Sequence, residues 1–176
     1  LRDTAIRKEI FLWQCTFITK KRRGIQMGIY SNDLTSSEPY INRVFVYGTL
    51  MKGFWNYKWF LDDRISRIIP GKTYGLLYHL PEGYPALLSG NEIIEGEVME
   101  PVDEELLKSL DRLEGYDKWS NNNLYVREKK SIWTEDGEEM ICWVYIYADE
   151  SYAKKNGIQV PNGNWRKFME RRGELI

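Results

Sequence analysis

The sequence predicts an α+β domain, a closed or strongly curved β-sheet with a few helices packed against it. Three observations carry this. Short runs rich in β-branched and aromatic residues recur from Arg43 onward. Turn residues separate them, as in Pro81-Glu82-Gly83 and Glu135-Asp136-Gly137. One strong amphipathic helix lies mid-chain, at 103–113.

In chain order, residues 43–47 (RVFVY) read as a buried strand that ends in a tight turn at Gly48. Residues 54–61 suit a short helix. Residues 71–80 read as a strand stopped by Pro81-Glu82-Gly83, and 86–88 and 93–99 as two further short strands. The helix at 103–113 has Pro101 before it, Asp103 as its cap and acids in its first turn, and Gly115 ends it in a left-handed conformation. Leu106, Leu107, Leu110 and Leu113 form its apolar stripe. Residues 125–134 and 139–147 read as a hairpin around Asp136-Gly137. Residues 165–172 (WRKFMERR) read as a basic amphipathic helix that packs Trp165, Phe168 and Met169.

The 176 residues leave room for one domain plus a tail. A hydrophobic share of 43% fills a core, and a net charge of −1 points to neither nucleic acid nor an anionic membrane as partner. The charge is unevenly spread. Residues 1–26 hold seven basic and two acidic side chains, so the other 18 basic and 24 acidic ones leave the rest at −6. Two cysteines, Cys15 and Cys142, give no disulfide framework, and a reducing cytoplasm is the simpler setting. With one histidine, His79, no multi-histidine metal site is available, and no G-x-S-x-G nucleophile motif is present.

Residues 10–18 form an apolar run, but Gln14 interrupts it and Lys20 to Arg23 follow it. That argues against a signal peptide, and the run is too short to span a bilayer. Lys21-Arg22-Arg23-Gly24 is encodable by a purine-rich, ribosome-binding-like stretch ahead of Met27. Residues 1–26 are therefore read as translated leader with a natural start at Met27. Residues 1–40 as a whole are read as a flexible lead-in to a domain at 41–176.

Glu114 is out of place on its helix. At about 100° per residue from Leu106, Leu110 falls at about 40°, Leu113 at about −20° and Glu114 at about 80°, inside the apolar arc. A carboxylate so placed faces the core or a cavity. Desolvation and the carbonyls of the helix end both act to raise its pKa above roughly 4.3. A carboxyl tuned upward suits general acid/base work near neutral pH. The bland alternative is a solvated Glu beside a helix cap.

Four segments in order resemble the γ-glutamylcyclotransferase-like family, in its small bacterial and plant AIG2-like branch. They are Val44-Phe45-Val46-Tyr47-Gly48-Thr49-Leu50, then Gly83-Tyr84-Pro85-Ala86-Leu87, then Leu110-Asp111-Arg112-Leu113-Glu114-Gly115-Tyr116 followed by Tyr125-Val126-Arg127. The last is Trp143-Val144-Tyr145-Ile146-Tyr147 with Pro161-Asn162-Gly163-Asn164-Trp165. The resemblance implies a mixed barrel with a cavity at its open side. It implies that the Tyr47-Gly48-Thr49-Leu50 turn binds a γ-glutamyl group and that Glu114 is the catalytic acid/base. The implied reaction turns a γ-glutamyl amine or peptide into 5-oxoproline and a free amine. No metal, nucleotide or redox cofactor is needed, and the partner is a small molecule.

The substrate brings its own nucleophile, the α-amine, so the protein needs to curl the chain and move one proton. The N–H groups of Gly48, Thr49 and Leu50 suit an α-carboxylate. Tyr145 and Tyr125 are further candidates for orienting the substrate, with core packing an equal alternative. Cys142 reads as a small core residue, His79 as packed or exposed, and Asp62-Asp63 as solvated. Trp119 to Asn123 form a loop just past Glu114 that bears on the leaving amine. The alternatives to cyclisation are a γ-glutamyl hydrolase or acyl transferase in the same cavity, and a non-catalytic ligand-binding domain.

Overall fold

Five strands close into a ring. In chain order the elements are β1 (Val44–Val46), α1 (Trp55–Phe60), β2 (Arg67–His79), β3 (Pro85–Glu100), α2 (Glu104–Leu113), β4 (Tyr125–Thr134), β5 (Glu139–Tyr147), α3 (Glu150–Asn156), β6 (Ile158–Gln159), a 3-10 turn (Pro161–Gly163) and α4 (Trp165–Arg171). This computed structural model describes residues 40–173. The reading of 1–26 as leader and of Met27 as the start lies outside the described residues.

Around the barrel the order is β3-β1-β5-β4-β2, and pairing of β2 with β3 closes it. Every pair is antiparallel except β1 with β5, which makes the barrel mixed. The short β6 adds to the outer end of β2, with Tyr78 opposite Gln159. Closure leaves no long edge strand within the ring. Phe45, Leu77, Leu87, Val98, Ile132 and Val144 fill the interior, each 1% exposed or less. Full burial of each such side chain is worth about 1.5–3 kcal/mol.

The sequence places most elements, with three differences. β2 begins at Arg67, ahead of Pro70, whose position opposite Glu97 keeps the pairing intact. The two short strands expected at 86–88 and 93–99 are one strand, β3. Its register shifts between Gly75 opposite Glu92 and Leu76 opposite Leu88, so Ser89, Gly90 and Asn91 form a bulge that reads locally as a turn. The stretch of α3, β6 and the 3-10 turn was not expected. The signals of α3 are the Asp149 side chain, which accepts the Tyr152 N–H at 2.8 Å, and Gly157 at its end.

α2 positions the site. The Asp103 carboxylate accepts the Leu106 N–H at 2.6 Å, and Leu106 and Leu110 are buried against the barrel. Truncating Leu110 to alanine would cost about 2–5 kcal/mol. Gly115, at φ +61°, ends the helix in the left-handed region, as expected. α4 buries Trp165 and Met169, and the Trp165 indole donates to His79 Nδ1 at 3.3 Å, so the single histidine is packed.

Candidate active site

Glu114 caps the C-terminal end of α2. Its N–H donates to the Leu110 carbonyl at 2.9 Å, and its own carbonyl accepts the Tyr125 N–H at 3.3 Å. The helix end is thereby tied to the first residue of β4. The chain then makes a loop over 116–123 and returns at Leu124, whose N–H donates to Gly115. Asn123 and Asp117 brace that loop through the Asp117 N–H and carbonyl. Trp119 stands out from it, 87% exposed.

Glu114 is half-buried. Burial alone pushes the carboxyl up to about 8, and no counter-ion among the described residues offsets that desolvation.

The Glu114 charge reaches four tyrosine hydroxyls. Tyr47 follows β1, Tyr84 precedes β3, Tyr125 opens β4 and Tyr145 lies on β5. Burial raises all four above the ordinary phenol value, and the Glu114 charge adds to the rise in each. Three of them already donate their proton within the protein. Tyr47 donates to the Tyr145 carbonyl at 2.6 Å, Tyr125 to the Pro85 carbonyl at 2.6 Å, and Tyr145 to Asp111 Oδ1 at 2.8 Å. A phenol has one proton, so these three present only lone pairs to a ligand.

The turn after β1 is held from both sides. The Gly48 carbonyl accepts the Met51 N–H at 2.9 Å, and Thr49 Oγ1 accepts Asn56 Nδ2 at 2.9 Å. A Cβ on Gly48 would lie 2.2 Å from Pro85 Cγ. The glycine is therefore required first by packing on Pro85, the residue whose carbonyl takes the Tyr125 hydroxyl. The Leu50 side chain is buried in the core, so what it offers a ligand is its backbone N–H. Of the residues singled out in the sequence, the structure groups Glu114, Tyr47, Tyr125 and Tyr145. Gly48 joins them through Pro85, and Thr49 and Leu50 through the backbone of the turn.

Two residues given no role in the sequence are built into the same group. Arg127 Nη1 donates to both Asp111 carboxylate oxygens, at 2.9 and 2.8 Å. Its guanidinium lies 4.7 Å from the centre of the Trp143 ring and 5.3 Å from that of Tyr116. The signal was present in the sequence: Asp111 precedes Glu114 by one helical turn, and Arg127 shares a strand with Tyr125.

Other candidates fall away from the site. Cys142 is fully buried and burial pushes its thiol up to about 12. Asp62 and Asp63 are exposed, and no group of three metal-ligating side chains occurs among the described residues. A cleft of about 140 Å³ lined by Glu95, Lys167 and Arg171 lies by α4, and it shares no residue with the Glu114 group.

The family model for γ-glutamyl cyclotransferase, AIG2-like, matches residues 44–167. The chain belongs to this family. The match runs from β1 into α4 and so contains the Gly48 turn, Glu114 and all four tyrosines. A Methanocaldococcus jannaschii protein, provisionally named a γ-glutamylcyclotransferase, is 37% identical over 71% of this chain and 96% of its own. The γ-L-glutamyl-butirosin B γ-glutamyl cyclotransferase of Niallia circulans is 31% identical over 73% and 78%. In three dimensions, an Arabidopsis thaliana protein solved in solution superposes with a TM-score of 0.56 at 24% identity, over 79% of this chain and 90% of that one, which shows the shared fold. The chain is an enzyme of the γ-glutamylcyclotransferase class on a mixed five-stranded barrel. No helix among the described residues is long and apolar enough to cross a membrane.

Proposed function

We propose that this enzyme converts a γ-glutamyl amine or γ-glutamyl peptide to 5-oxoproline and a free amine, with Glu114 as the single acid/base. The observation that carries the reading is the half-buried Glu114 carboxyl, raised to about 8 by desolvation with no counter-ion among the described residues to lower it. The α-ammonium of a γ-glutamyl group has a pKa of about 8. A proton therefore passes between the two groups with little cost in either direction.

The α-carboxylate of the substrate sits against the N–H groups of Gly48, Thr49 and Leu50. The α-ammonium faces Glu114 and the acceptor lone pairs of Tyr47 and Tyr125, whose protons are engaged elsewhere. Glu114 takes one proton from the ammonium, and the freed amine attacks the δ-carbonyl carbon of the same chain. The C–N bond to the leaving amine breaks from the tetrahedral intermediate as Glu114 returns the proton to that nitrogen, and the lactam nitrogen gives up its second proton, again through Glu114, to the released amine, which leaves as an ammonium. The products are the five-membered lactam and the amine, and no water is consumed. Holding both reacting groups in one short chain supplies most of the advantage.

The test is product analysis of the full chain over a panel of γ-glutamyl amines, dipeptides and ε-lysine conjugates. γ-L-Glutamyl-butirosin B is included because a relative is named for it. 5-Oxoproline with an equimolar amine supports the proposal. Free glutamate instead identifies a hydrolase, and binding without turnover identifies a ligand-binding domain.

A further inference from the structure

We propose that the Asp111–Arg127 ion pair is a positioning device for Glu114: it locks the last turn of α2, which leads into Glu114, onto β4 and β5. This rests on the reading of Glu114 as the acid/base.

The lock is visible in the contacts. Asp111 and Glu114 are three residues apart, neighbours on one face of the last helical turn. Both Asp111 oxygens are held by Arg127 of β4, and one also takes the Tyr145 hydroxyl of β5. The Asp111 carbonyl accepts the Tyr116 N–H at 2.8 Å, which fixes the chain as it leaves Glu114. The continuation is direct, because the Tyr145 carbonyl accepts the Tyr47 hydroxyl. One connected set of hydrogen bonds thus runs from β4 through the helix end to β5 and the Gly48 turn. Arg127 has little freedom, with Trp143 and Tyr116 near its guanidinium and its Nε buried without an acceptor. A buried donor left unsatisfied is a cost accepted elsewhere in the protein, which fits a residue held for a purpose other than stability.

The experiment compares Asp111→Asn, Arg127→Gln and the double variant, reading the pH profile of kcat and, separately, the Glu114 carboxyl titration by carbon-13 NMR. Each single variant frees the helix end, so the Glu114 midpoint falls toward the ordinary carboxylate range as water reaches the carboxyl, and kcat falls about tenfold with KM changed less. The double variant loses no more than either single one, because the two residues act as one lock. Single-variant midpoints that do not move, or losses that add in the double variant, overturn the proposal. If Arg127→Gln fails to fold, Asp111→Asn decides it by the same criteria. The NMR arm reads Glu114 without turnover, so an absence of cyclisation would sink the functional reading and leave this one decided on its own.

Discussion

The Tyr47 hydroxyl donates to the backbone carbonyl of Tyr145 at 2.6 Å, joining the end of β1 to the middle of β5 across a buried space. β1 and β5 are the one parallel pair of the barrel, matched at Val44 and Trp143. This side-chain bond holds them together beyond that match and fixes the start of the Gly48 turn.

Tyr47→Phe keeps the ring and removes that bond. The Tyr145 carbonyl is then left without its donor in a dry setting, which costs about 1–3 kcal/mol. Urea denaturation should show a lower midpoint at unchanged slope. Turnover should fall as well, since the same hydroxyl supplies a lone pair beside Glu114.

Gly48→Ala tests the packing on Pro85. With 2.2 Å between the added carbon and Pro85 Cγ, the turn or the proline must shift. Overpacking of this kind costs about 1–3 kcal/mol. The shift also disturbs the Pro85 carbonyl that holds the Tyr125 hydroxyl. The expected kinetic signature is a raised KM with a smaller change in kcat, from steady-state assay of 5-oxoproline release.

The raised Glu114 carboxyl makes stability depend on pH. The folded state holds this proton up to about 8, whereas the unfolded chain releases it near 4.5. The contribution is therefore full below 4.5, declines as pH rises toward 8, and is flat beyond. The slope in that window is about 1.4 kcal/mol per unit. Glu114→Gln has no such slope. The difference in Tm between variant and wild type should move in favour of the variant from pH 5 to pH 8.5. A constant difference would show that the carboxyl is not buried in solution.

Cys142 should be inert. Its thiol is fully buried and pushed up to about 12, so little thiolate exists at neutral pH. Cys142→Ala should keep turnover within about twofold, while a thiol reagent should label Cys142 only after denaturation. Loss of turnover in a folded Cys142→Ala would point to covalent chemistry that the proposed mechanism lacks.

Much of this architecture was legible in the sequence, because the local signals agree with the fold. The α2 cap, its leucine stripe and the Asp136-Gly137 hairpin all appear where their patterns put them. β3 was misread because a bulge of Ser89, Gly90 and Asn91 carries the composition of a turn, and only pairing with β2 shows that the strand continues. The inward placement of Glu114 was legible from helical spacing. The environment around it was not. Tyr47, Tyr84, Tyr125 and Tyr145 are brought together by barrel closure, a long-range event without local periodicity. The hydroxyls of Tyr125, Tyr145 and Tyr47 are engaged by the Pro85 carbonyl, the Asp111 carboxylate and the Tyr145 carbonyl, partners that spacing cannot reveal. Asp111 and Arg127 stood within the quoted segments, yet their pairing across α2 and β4 needed the structure.

The most direct test of the central claim is 5-oxoproline release by wild type and Glu114→Gln on the best substrate from the panel, with both proteins shown to be folded by circular dichroism and thermal melting. The account predicts at least about a hundredfold loss of kcat in the variant, the upper part of what one acid/base group supplies being larger still. A folded Glu114→Gln that cyclises within a few-fold of wild type would contradict it, and would move the proton transfer to another group of this site.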